Sequence, residues 1–157
     1  MRFVLLLLTH LGALAIGFAA GIYTLPILTA LPSPDAATLS EEARDATYRA
    51  DLTRDLRGSD ALHWGEGTIA VGPERIVHEG RLAPGPDYKV YLTPAFVEHE
   101  DEFEALKDDA IVVGDVKSFG GFILDVPPGI DIENYTTLVV WCESFSEFIT
   151  AAQYRPE

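Results

Sequence analysis

The 157-residue chain has room for one domain of ordinary size. Its charge is unevenly placed: Phe3 to Pro34 contain no charged side chain, and beyond Pro34 10 Lys/Arg stand against 25 Asp/Glu, a net of −15. So acidic a surface repels phosphate backbones and excludes nucleic-acid binding, while the single Cys142 excludes an intramolecular disulfide and a zinc site built on a cysteine cluster.

Phe3 to Leu31 is an apolar run of 29 residues interrupted only by small or weakly polar side chains. At about 1.5 Å per residue, Phe3 to Leu25 already covers the roughly 30 Å hydrocarbon core of a bilayer. The run predicts a transmembrane signal anchor over residues 1–31, with Tyr23 at headgroup depth and Pro26 kinking or ending the helix. The competing reading is a cleavable signal peptide, for which Ala13-Leu14-Ala15 offers a small-x-small site. An apolar anchor followed by an acidic domain predicts a single-pass protein of the cell membrane. Its domain is expected in the periplasm or outside the cell.

Leu31-Pro32-Ser33-Pro34 begins a tether over residues 32–61. Ser40-Glu41-Glu42 reads as an N-cap with acids in the first turn, predicting a short linker helix through about Leu56 that Gly58-Ser59-Asp60 ends. From residue 62 to 157 the texture is that of short strands. They are Trp64–Val71, Arg75–Leu82, Tyr88–Thr93, Ile111–Lys117, Phe122–Val126, Thr137–Glu143 and Phe148–Gln153, divided by Gly- and Pro-rich turns. About seven short strands without long intervening helices predict an all-β domain, an antiparallel β-sandwich.

Cys142 closes the β-favouring run Thr137 to Glu143. Alternation places Leu138, Val140 and Cys142 on one face and Val139, Trp141 and Glu143 on the other. If the first face is the core, Cys142 is a small buried hydrophobe, the commonest fate of a free cysteine. If it lies at the strand end, a lone thiol there is a candidate nucleophile, mixed-disulfide partner or haem or copper ligand. Glu143 raises the thiol pKa rather than lowering it. His63 and His78 are candidate partners for the sulfur across a sheet, but the histidines share no ligand spacing. Residues 98–109 hold seven carboxylates in no calcium-loop order, which reads as the solvated face of a short helix built on Phe103 and Leu106. No serine-hydrolase elbow, zinc-protease motif, phosphate loop or dinucleotide fingerprint is present.

Several pieces in order resemble a known module: Gly65-Glu-Gly67, Ile76-Val77-His78-Glu79-Gly80, Pro84-Gly-Pro-Asp-Tyr-Lys-Val-Tyr-Leu92, Val113-Gly-Asp-Val-Lys117 and Gly120-Gly121. The most specific is Val140-Trp141-Cys142-Glu143-Ser144-Phe145 after Asn134-Tyr135. Together they are similar to the DM-thirteen domain of Skeletor-type animal proteins and many bacterial exported proteins, over about residues 62–155. The resemblance implies electron transfer through the single cysteine of the tryptophan-cysteine strand, matched here by Cys142. That cysteine would act as a bare thiol or as the ligand of a metal or haem, with Trp141 and nearby aromatics shaping the site. One cysteine cannot close its own disulfide, so a thiol cycle implies a partner protein, a small thiol or a dimer. The rival reading is a non-catalytic envelope binding or assembly module in which Cys142 is inert core.

Overall fold

The computed structural model of the chain describes residues 1–156. It opens with α1 (Arg2–Thr29), a helix of 28 residues long and apolar enough to cross a membrane. Pro26 does not end it. Thr29 Oγ1 donates to the Leu25 carbonyl at 2.9 Å and Ala30 N to the Pro26 carbonyl at 2.9 Å, so the helix gains one more turn beyond the proline.

The linker helix lies earlier and is shorter than the sequence suggested. α2 spans Ala36–Glu42, and its N-cap is Asp35, whose carboxylate accepts from Thr38 N at 2.9 Å and Thr38 Oγ1 at 3.1 Å. In place of helix through Leu56, the chain forms a strand, β1 (Tyr48–Leu52). Tyr48, Ala50 and Leu52 pack on the core while Arg49 and Asp51 alternate away from it. Over only five residues a period of two is hard to tell from a sparsely apolar helix, and pairing with β2 decides for the strand.

The remaining strands fall where the pattern of runs and turns placed them: β2 (Gly65–Val71), β3 (Arg75–Leu82), β4 (Tyr88–Thr93), β5 (Ile111–Val116), β6 (Phe122–Asp125), β7 (Thr137–Cys142) and β8 (Glu147–Gln153). They form two four-stranded antiparallel sheets, ordered β1-β2-β3-β6 and β5-β4-β7-β8. Ile69, Ile76 and Leu82 of the first sheet meet Val90, Leu138 and Val140 of the second in the main core.

Both outer faces are also covered. α2 lays Leu39 and Ala43 over Ala70 and Val77 of the first sheet. On the second, α3 (Glu100–Leu106) contributes Phe103, which packs on Tyr91, Val139, Trp141 and Phe148. This double cover explains why all six residues of β7 are buried. At Gly67 and Gly80, paired across β2 and β3, a Cβ on either would collide with backbone of the opposite strand. Their bareness lets the Glu66 carbonyl approach the His78 ring, with Nε2 at 3.1 Å.

The tether is not loose. Leu31 N donates to the Lys117 carbonyl at 2.8 Å, and Gly120 N donates to Ser33 Oγ at 2.9 Å. These bonds hold the exit of α1 against the 117–121 loop, at the end of the sandwich where β7 finishes.

Candidate functional site

Two tight turns meet at that end. The turn after β7 is bonded to the turn before β4: Glu143 N donates to the Asp87 carbonyl at 3.0 Å and Ser144 Oγ to Asp87 Oδ2 at 3.1 Å. Asp87 and Ser146 both take left-handed backbone, φ 53°, a conformation Asp accepts more readily than most residues. Cys142 lies where the turns cross. It shares the inner face with Leu138 and Val140, as alternation requires, and is 2% exposed.

The thiol is engaged in both directions. Sγ donates to the Pro86 carbonyl at 3.1 Å. Burial pushes its pKa up; the N–H groups of Phe145 and Ser144 pull it back in part, and the Asp87 and Glu147 carboxylates add to the rise. At neutral pH the resting sulfur is a protonated donor.

A cavity of about 330 Å³ opens beside it. Leu62, His63, Pro86, Tyr88 and Phe145 line it on the domain side with Cys142, and Ala19, Ile22 and Tyr23 of α1 line the opposite side. Asp60 orients the histidine, accepting from Leu62 N at 2.6 Å, His63 N at 2.7 Å and His63 Nδ1 at 3.1 Å. Desolvation opposes the charge of Asp60, yet these hydrogen bonds prevail and hold its carboxyl below the usual range. Tyr88 is 3% exposed; burial, with Cys142 and Tyr23 close by, pushes its phenol pKa up, so it remains a neutral donor.

Of the two histidines considered as partners, His63 shares the cavity with Cys142, while His78 is enclosed between the sheets against Phe122, ring centroids 5.1 Å apart. Trp141 does not shape the site. It faces the other side of β7, 4.6 Å from the Phe103 ring centroid, because neighbouring strand residues point oppositely. Tyr88 and Phe145 supply the aromatic walls instead. The acidic run forms α3 and a following 3₁₀ turn over Lys107–Asp109, and among the described residues no group of three or more His, Cys, Asp or Glu side chains is placed to hold a metal.

The family resemblance implies a haem or metal as one alternative at Cys142. Ligation by cysteine needs the thiolate, whereas burial and two carboxylates here favour the thiol, which is hydrogen-bonded to a backbone carbonyl. A metal would have to displace that proton, and among the described residues no group of three donors includes Cys142 and His63, so the lining does not make up a complete metal ligand set.

A family model described as electron transfer DM13 matches residues 57–154, more than half of the chain. The chain belongs to the DM13 family. The match takes in β2 to β8, the cavity's domain side and Cys142. It leaves α1, α2 and β1 outside, although β1 is hydrogen-bonded to β2 in this DM13 protein. No curated protein and no solved structure matches the chain.

The residues that sequence reasoning missed are Tyr88, Pro86, Phe145 and Asp60, the partner that orients His63. The spacing Asp60-x-x-His63 and the turn Pro84-Gly85-Pro86-Asp87 were visible. Their convergence on Cys142 depends on antiparallel pairing of β4 with β7, which no local pattern specifies.

Proposed function

We propose that this chain is a membrane-anchored DM13 electron-transfer protein, with its domain outside the cytoplasm, working through the bare thiol of Cys142. The observation that supports this reading best is the position of the sulfur: the one cysteine stands at the wall of a cavity, at the meeting of two turns, and not in mid-strand. In the step proposed, the Cys142 thiolate attacks one sulfur of an incoming disulfide, carried by a protein or a small molecule. A mixed disulfide forms and the departing sulfur takes up a proton. A thiol of a second, reduced dithiol partner then attacks the Cys142 sulfur and releases the first partner as its dithiol. The second partner's other thiol restores Cys142–SH while closing its own disulfide, so two electrons pass from the second partner to the first. The raised pKa makes the resting thiol slow and reserves reaction for a partner that displaces the Pro86 contact or brings a cation to the sulfur.

The test is thiol titration of the full-length protein in detergent, with an absorption spectrum of the same sample. Expected are a colourless protein and one thiol that reacts in the folded state, faster as pH rises. A thiol reacting only after unfolding would favour the rival reading, a binding or assembly module with Cys142 as core. That rival draws its support from the burial of the residue.

A further inference from the structure

The cavity beside Cys142 has two walls of different origin. One is the cysteine end of the sandwich. The other is the last turns of α1, through Ala19, Ile22 and Tyr23. These belong to the uncharged run that the proposed function places in the bilayer, so the cavity opens at the lipid boundary and not toward bulk water. At about 330 Å³ it lies at the low end of the roughly 300–1,000 Å³ range of ligand pockets. That is room for one ring and the start of a tail, and too little for a two-chain lipid.

Its polar groups are few and specific. The Tyr88 hydroxyl, on a residue 3% exposed, has no hydrogen-bond partner among the described residues and lines the cavity as a free donor. With His63 Nδ1 committed to Asp60, the proton of the neutral ring sits on that nitrogen and Nε2 is left as an acceptor. A donor and an acceptor in a lining that is mostly apolar, with the Tyr23 phenol, the Cys142 thiol and the Glu147 carboxylate as its other polar side chains, match a flat ring whose oxygens alternate between carbonyl and hydroxyl.

We propose that this cavity binds the head group of a membrane-borne quinone, with the Tyr88 hydroxyl donating to a ring oxygen and the Asp60-oriented His63 serving its hydroxyl form. The inference rests on the anchored reading above and concerns binding alone. Cys142 borders the site without being required to hold the ring.

The full-length protein is reconstituted into lipid nanodiscs and equilibrated with a decyl-tailed benzoquinone, the amount retained being counted against protein-free discs. One saturable equivalent per chain is expected. Ala19→Trp fills the cavity from the exposed helix side and leaves the domain core untouched, so it should weaken binding at least about 10-fold. Tyr88→Phe removes the donor and should weaken it by roughly 3- to 10-fold. Retention no greater than in protein-free discs, as when a lipid chain fills the cavity, overturns the proposal; so does binding that Ala19→Trp and Tyr88→Phe both leave unchanged. The failures are separable. A bound quinone with an inert thiol removes the thiol cycle and keeps the site, and a reactive thiol without quinone does the reverse.

Discussion

Replacing Cys142 separates a sulfur kept for packing from one kept for chemistry. Cys142→Ala removes a group about the size of one methylene from the core, about 1 kcal/mol of transfer free energy. The gap of roughly 25 Å³ adds about 0.6 kcal/mol at about 24 cal/mol per Å³. The Pro86 carbonyl loses a weak donor at 3.1 Å, about 0.5 kcal/mol more. The expected loss is therefore about 2 kcal/mol, or about 4–8 °C in Tm for a chain of this size. Cys142→Ser keeps a donor for the same carbonyl and should cost about 1 kcal/mol. Urea unfolding of the full-length protein in detergent, followed by circular dichroism, reads both. With total stabilities of about 5–15 kcal/mol, either variant should stay folded while losing all thiol reactivity. A loss above about 4 kcal/mol, or a transition that is no longer cooperative, would refute the reasoning and show that the sulfur is there to hold the fold.

Two further outcomes test the frame around the site. Burial holds the His78 pKa below its ordinary 6.5, so the unfolded chain takes up the proton first. Stability should be full above pH 6.5 and fall as pH drops from there toward the folded-state pKa, with His78→Leu flattening that part of the urea-midpoint profile. Phe103 is the one buried residue of α3 and stacks on Tyr91 and Trp141 at 5.1 and 4.6 Å. Phe103→Ala should cost about 3–5 kcal/mol and release α3 from the sheet, read as a lower urea midpoint and a red-shifted Trp emission; a cost under about 1 kcal/mol would contradict the packing described.

Most of the fold was legible because its turns carry unambiguous chemistry. Gly72-Pro73, Pro84-Gly85-Pro86 and Pro127-Pro128-Gly129 bound strands whose β-branched runs leave little choice. β1 was not legible because Tyr48–Leu52 alternates over five residues only, directly after a true helix start, and its pairing with β2 is a long-range fact. The helix cap was misplaced by five residues because Ser40 and Asp35 are both good caps, and Thr38 three residues on favours Asp35. For the site, the strand and facing of Cys142 were readable from period two. The cavity was not, since it is assembled from α1, the 60–63 turn, the 84–87 turn and the start of β8.

Only Ala30 separates the end of α1 from Leu31, the first residue bonded to the 117–121 loop. Anchored as proposed, the domain therefore has almost no leash and cannot swing out to sample the surrounding fluid. Its encounters would be confined to a thin layer, where lateral diffusion sets the pace and a partner is met by sharing the same sheet of lipid. The abundance that matters for such a protein is a count per unit area, and its natural counterparts are molecules that travel in the membrane or stand equally close to it.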